Sequence, residues 1–364
     1  MIIEAKNLSK TFEKKIAGKG LKNFFNPTYE KFEAVKNINF KVNEGEMIAF
    51  VGPNGAGKST TIKMLTGIIH STGGEIKVDG LDPAKDRKKL AYRIGCMFGQ
   101  KSNLWMHLPA IDTYKLFGAI YDIDEETVSK RIAELVEIFD IEDLIYTPVR
   151  KLSLGQRMIC EIVGVLIHEP KIIFLDEPTI GLDIVVKEKV RNLIKEINRR
   201  KKTTVFLTSH DIGDVESLCD RIIIIDKGKI ITDDKISNLK EKYKKEKYVT
   251  LTYEENIEKI NFEYKVQKIE GNKVTLIIDE TKNKMSNVLS KCMKFGNVLD
   301  IESKDVSLEK VIYDIYTNDG AGMTTGTALS CQNKKLEKIN SSHWQLRAVP
   351  VVIGGKDEKI FCYF

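Results

Sequence analysis

The segment Met47–Ser59, MIAFVGPNGAGKS, narrows the possible folds more than any other part of the chain. Five apolar residues, enough for one buried strand, run straight into the pattern G-x-x-x-x-G-K-S. Thr60–Ile69 then carries apolar residues at helical spacing. A Gly-rich turn between strand and helix lets successive backbone N–H groups face phosphate oxygens, and the helix N-terminus adds positive potential. Gly52, Pro53, Asn54, Gly55, Ala56, Gly57, Lys58, Ser59 and Thr60 therefore form a candidate phosphate-binding loop. In such a loop Lys58 reaches the β- and γ-phosphates of a nucleotide, and the Ser59 hydroxyl ligates Mg²⁺.

A second apolar strand, KIIFLDE (171–177), ends in two adjacent acids. Asp176 at such a strand end holds magnesium through water, and Glu177 is placed to orient or polarise an attacking water. Two acids merely capping a strand would leave their adjacency after a wholly apolar run unexplained. Further buried strands read at TTVFLTSH (203–210) and RIIIID (221–226), with an amphipathic helix at 186–200 and helical patterns at about 110–121 and 125–140. Buried strands alternating with helices predict an α/β fold with a mainly parallel sheet covered on both faces.

Other classes are excluded by what is missing. The longest run without Asp, Glu, Lys or Arg is the polar, Gly-rich Gly320–Asn333, whereas a spanning helix needs about 20 mainly apolar residues. Glu4 and Lys6 interrupt the N-terminus before a secretory signal could form. Six scattered cysteines, without a C-x-x-C pair, read as reduced thiols. A net charge of +6, from 58 basic and 52 acidic residues, does not call for a nucleic-acid partner. Lysines gather at 10–36 and 240–247; these read as solvated loops or linkers, with attraction to an anionic membrane face as the alternative.

Four further motifs narrow the ATPase to a family. LSLGQ (152–156) resembles the signature of ATP-binding-cassette proteins, EPTIGLD (177–183) their Walker B extension and D-loop, and TSH (208–210) their switch histidine. FGQKS (98–102) sits where that family carries its Q-loop. Together with the phosphate loop these stand in the family's order over residues 1 to about 240. The resemblance implies a P-loop nucleotide hydrolase core with antiparallel N-terminal strands and a helical signature subdomain at about 101–165. It also implies head-to-tail dimers, homo- or heterodimeric. In these the Ser153, Gly155 and Gln156 of one copy complete the γ-phosphate cradle of the other, and Asp183 acts across the interface. His210 is implied to hold Glu177 and the water in line, and Gln100 to join the magnesium shell. ATP and Mg²⁺ are the implied cofactors. Phe12 is the first candidate to stack on adenine, with Tyr29 and Phe32 as rivals.

Leu154 stands where the commonest signature has a second glycine, so its side chain must point away from nucleotide. GQKSNLW, LPAIDTY and LSLGQRM look most like the ATPase subunits of bacterial exporters whose permeases are separate chains. Around 101–122 the aromatics Trp105, Tyr114, Phe117 and Tyr121 read mainly as core, while in that family the groove here receives a coupling helix of the permease. The expected function is thus an ATP-hydrolysing transporter subunit at the cytoplasmic face of the membrane; a soluble cassette acting on ribosomes or DNA is the alternative. After the composition shift near 240, residues 241–317 read as a small α+β unit with a hairpin at Gly271-Asn272, and 318–364 as a poorly packed tail.

Overall fold

A computed structural model describes residues 1–15, 29–99, 101–243, 246–258 and 260–318; Met1–Asp319 forms one compact unit. The chain opens with two long strands, β1 (Ile3–Lys15) and β2 (Tyr29–Val42), followed by β3 (Met47–Val51) and helix α1 (Lys58–Leu65). Next come β4 (Gly73–Val78), α2 (Arg87–Ala91), β5 (Ile94–Phe98), α3 (Ala110–Ile120), α4 (Glu125–Phe139) and α5 (Glu142–Ile145). A 3-10 turn at Val149–Lys151 leads to α6 (Leu154–Leu166), β6 (Ile172–Asp176), α7 (Ile184–Lys201), β7 (Thr204–Thr208), α8 (Ile212–Leu218), β8 (Arg221–Asp226) and β9 (Lys229–Lys235). After α9 (Ile236–Tyr243) the chain forms β10 (Glu246–Tyr253), β11 (Lys265–Glu270), β12 (Lys273–Asp279), α10 (Met285–Cys292), β13 (Val298–Asp305) and α11 (Leu308–Asn318).

The central sheet has the order β5-β6-β7-β3-β8-β9, parallel except for the antiparallel edge β9. Its inner strands β6, β7, β3 and β8 are apolar on both sides because two cores flank them. Along β6, Ile173 and Leu175 enter the core shared with the helices, whereas Ile172 and Phe174 enter the core under the antiparallel sheet β2-β1-β4. That second core centres on a ring cluster, with Phe50 5.9 Å from Phe40 and 5.4 Å from Phe206 between centroids. Parallel strands all end on one side, so the loops after β3, β6 and β7 emerge together, which is where open α/β sheets bind ligands.

Several elements differ from the sequence reading. The basic stretch expected to be irregular after residue 8 is strand up to Lys15 and again from Tyr29, paired through Phe12 opposite Phe32 and Glu13 opposite Lys31. The polar alternation of a solvated hairpin carries little apolar signal, so its length is not visible in the sequence. The helix expected over Thr60–Ile69 starts at Lys58 and ends at Leu65, before Gly67 with φ +71°. The Lys-rich stretch from 240 begins inside α9, whose Ile236 and Leu239 are buried. Gln100 and the residues after Asn318 lie outside the described residues.

The C-terminal sheet, β11-β12-β10-β13, is antiparallel and closes a small core with α10. Helix α11 does not join that core. Val306, Leu308, Val311 and Ile312 are instead buried in the same cluster as Ile236 and Leu239 of α9 and Val215 and Leu218 of α8. Replacing the fully buried Leu308 by Ala should therefore destabilise the nucleotide-binding half by about 2–5 kcal/mol. Urea unfolding followed by fluorescent nucleotide release checks this; an unchanged midpoint would show that α11 contributes nothing to that half.

Candidate functional site

The end of β3 enters the loop Gly52–Gly57, whose first and last residues leave no space for a side chain: a Cβ on Gly52 would lie 2.3 Å from Ile225 O. A Cβ on Gly57 would lie 2.7 Å from Ala34 O, and its φ of +112° suits glycine alone. Helix α1 therefore starts at Lys58 with no side-chain cap, and its first turn leaves backbone N–H groups without intrahelical acceptors. Among the described residues none of Gly57, Lys58 and Ser59 donates its N–H to another backbone group. Lys58 is buried and folds back over the loop, donating from Nζ to Gly52 O at 2.5 Å and Pro53 O at 3.2 Å. Burial holds its pKa below the ordinary lysine value, opposed by the nearby Glu177 and Asp176 carboxylates.

Strand β6 delivers Asp176 next to this loop. Ser59 Oγ lies 3.4 Å from Asp176 Oδ2, and Thr208 Oγ1, at the end of β7, donates to Oδ1. Glu177 follows with φ +56°, held by its N–H to Thr208 O at 3.0 Å, so the chain turns sharply as it leaves the sheet. His210 Nε2 lies 2.9 Å from Glu177 Oε1 and 3.5 Å from Lys58 Nζ. Lys58, Ser59, Asp176, Glu177 and His210 thus converge across the ends of three neighbouring strands. Among the described residues no three His, Cys, Asp or Glu cluster as metal ligands. One carboxylate and one hydroxyl at Asp176 and Ser59 do fit a hard cation that keeps waters and phosphate oxygens in its shell, as magnesium does.

Ser153, Gly155, Gln156 and Asp183 form a separate group. Ser153 caps α6 through a reciprocal pair, accepting from Gln156 N at 3.2 Å while its own N–H reaches Gln156 Oε1 at 2.9 Å. A Cβ on Gly155 would meet Val186 Cγ1 at 2.5 Å, so α6 can approach the start of α7 only with glycine there. Asp183 caps α7, accepting from Val186 N at 2.9 Å. Among the described residues no hydrogen bond joins this group to the first. Phe12, Phe32 and Tyr29 are all exposed on the β1–β2 hairpin, and Lys10 Nζ stands 5.0 Å over the Phe12 ring.

One cluster was not anticipated. Fully buried Asp214, four residues after His210, accepts from Thr179 Oγ1, from Ser209 Oγ at 2.9 Å and from Arg191 Nε and Nη2 at 2.8 and 2.7 Å. It joins the turn after Glu177 to the turn that presents His210. The signal was a single acid in a seven-residue helix, with partners far away in the sequence. Asp214→Ala removes the buried acceptor of Arg191, Thr179 and Ser209, leaving Arg191 only its longer contacts to Glu188 and Asp211, and should cost about 3–5 kcal/mol of stability in chemical denaturation. A loss under about 1 kcal/mol would remove the cluster from any structural role.

Residues 35–180 match the family model described as ABC transporter. The chain is 34% identical over 221 residues to the ABC transporter ATP-binding protein NatA of Bacillus subtilis, covering 61% of this chain and 88% of that protein. It is 34% identical to a fluoroquinolones export ATP-binding protein of Mycobacterium tuberculosis, across 57% of this chain and 67% of that one. Among solved structures, the dimeric post-hydrolysis state of the ATP-binding cassette MJ0796 bound to ADP and Pi aligns with a TM-score of 0.55 and 28% identity. That alignment covers 65% of this chain and 99% of the cassette. With the Gly52–Ser59 loop, the acidic end of β6 and His210 brought together at the ends of three neighbouring strands, the chain belongs to the ABC transporter family, as an ATP-hydrolysing cassette.

Proposed function

We propose that this cassette is the ATPase subunit of an exporter, closing head to tail with a second cassette and driving a separate membrane permease. The observation that carries the reading is the division of polar residues into two groups. Lys58, Asp176, Glu177 and His210 gather at the strand ends, whereas Ser153, Gly155 and Asp183 sit at the α6 and α7 N-termini with no hydrogen bond to them. The α6 N-terminus has no acidic residue in its first turn and attracts an anion from outside, here the γ-phosphate held by the partner cassette. Support for export comes from the fluoroquinolones export relative and from the motif sequence LSLGQRM. No relative reported above acts on ribosomes or DNA, and that alternative is not favoured. Among the described residues no helix is long and apolar enough to cross a membrane. In this reading the permease is a partner chain and the cassette is peripheral. Residues 1–240 perform the nucleotide chemistry, and 241–317 brace it through α11.

The residues divide the reaction among themselves. The loop 52–57 and the α1 N-terminus bind the β- and γ-phosphates of ATP. Lys58 turns from its carbonyl contacts to neutralise γ-phosphate charge. Ser59 and Asp176 would hold a magnesium ion, which would supply positive charge to the phosphate oxygens. Glu177 orients the attacking water and takes up its proton, and His210 fixes that carboxylate by the 2.9 Å contact. Phe12 stacks on adenine. Because Ser153 and Gly155 arrive only from a second chain, dimer closure sets the rate of hydrolysis.

Glu177→Gln keeps the volume and loses the base. It should bind ATP with unchanged affinity while phosphate release falls about 10²–10⁴-fold. Full turnover in that variant would remove Glu177 from the reaction. A pull-down from detergent-solubilised membranes should bring down a multi-spanning chain in comparable amount; recovery with ribosomes or DNA alone would overturn the transport reading.

A further inference from the structure

The mechanism above leaves one buried ionisable group unused. Glu161, midway along α6, is 4% exposed; among the described residues it makes no salt bridge, and the Arg157 charge one turn earlier favours its ionised form. Its partners are neutral: Oε1 accepts from Ser102 Oγ, and Oε2 from Asn103 N at 3.0 Å. Burial pushes its pKa above the usual carboxylate range, with those donors opposing. An apolar side chain of similar volume would fill this place without desolvating a carboxylate. What the carboxylate adds is direction, because only an acceptor can hold Ser102 and Asn103 in place.

The segment held in this way has further attachments. Asn103 Nδ2 donates to Cys96 O at 3.3 Å, on β5. That strand lies beside β6, with Phe98 opposite Asp176 and Gly99 N bonded to Asp176 O at 3.1 Å. At its other end the segment pairs with the residues leading into α6: Arg150 N meets Met106 O at 2.8 Å, and Val149 N meets Leu108 O at 3.0 Å. Ser153 follows three residues later. Between the two attachments Trp105 stands 55% exposed.

We propose that Glu161 is a positioning residue of the ATPase cycle: by fixing Ser102 and Asn103 it ties the Asp176 strand layer to α6, so that Ser153 and Gly155 are presented to the second nucleotide at a set angle. This rests on the reading that the α6 N-terminus serves the partner's ATP. The carboxylate acts through the 102–108 segment, which runs from its own partners to the residues leading into α6.

The test compares the full-length Glu177→Gln protein with the same protein carrying Glu161→Ala, Glu161→Gln or Ser102→Ala. Binding of a fluorescent ATP analogue by the monomer is read beside ATP-dependent dimerisation in light scattering. Glu161→Ala should leave analogue affinity unchanged and weaken the ATP-bound dimer about tenfold or more. Glu161→Gln should restore most of the dimer affinity, since its amide oxygen can face Asn103 N while its NH₂ donates to Ser102 Oγ. Equal dimerisation in parent and Glu161→Ala overturns the proposal, as does loss of analogue binding in step with dimerisation, which marks a general folding defect. Where Glu161→Ala does not fold, Ser102→Ala decides: dimerisation weakened at unchanged analogue affinity supports it, and unchanged dimerisation overturns it. A Glu177→Gln parent that never dimerises with ATP removes the head-to-tail reading instead.

Discussion

The carboxylate of Asp176 is the point around which the rest of this molecule is arranged. It stands at the end of a strand whose other residues are all buried, with Thr208 donating to one oxygen and Ser59 3.4 Å from the other. Three strands must end in register for this to happen: β3 to launch the phosphate loop, β6 to carry the acid, and β7 to bring the threonine and then His210. The register is enforced by apolar packing on both faces of the sheet, because sliding one strand by a residue would exchange its two buried faces. The polar site is a consequence of hydrophobic alignment, and its own hydrogen bonds adjust only the last ångström.

This explains which parts of the site can be read from sequence. The loop 52–59 is legible because its chemistry is local: the glycines, Lys58 and Ser59 act within one turn of chain. Asp176 and Glu177 are legible because two acids after IIFL contradict the strand before them. Asp214 is not, since its meaning lies in Thr179, Ser209 and Arg191, and nothing within its own short helix distinguishes it from a solvated acid. The long β1–β2 hairpin is hidden for a different reason. Beyond Lys10 its pairing rests on alternating polar residues, which look the same in a loop. The Phe12–Phe32 pair also shows why the adenine contact could not be assigned by sequence, because cross-strand register places the two rings side by side.

The C-terminal part follows a similar logic at larger scale. Its sheet and α10 make a self-sufficient core, yet the chain continues past β13 to put α11 against α8 and α9. Helix α8 carries Asp214, whose bonds position the Thr179 and His210 turns. The C-terminal unit is therefore attached to the Asp176 and His210 cluster through one layer of helices. That α11 packs on the first half and not on its own sheet was not visible in the sequence, because nothing local in a helix specifies its partner.

The departure at Leu154 makes a physical point about the signature. In this chain a leucine replaces a flexible position at a helix N-terminus that must still approach phosphate. Its side chain turns down toward Gly181, where a Cβ would come within 3.2 Å of Leu154 Cδ2, and Gly181 has a φ of +75°. Two glycines thus surround the leucine: Gly155 lets α6 meet Val186, and Gly181 leaves space for Leu154. The flexibility lost at one residue is replaced by a fixed contact between the signature and the turn that follows Glu177. In the head-to-tail pair proposed above those two elements would serve different nucleotides, and the contact between them would make the state of one site a constraint on the other. A second glycine at 154 would keep both helices in place and loosen that constraint.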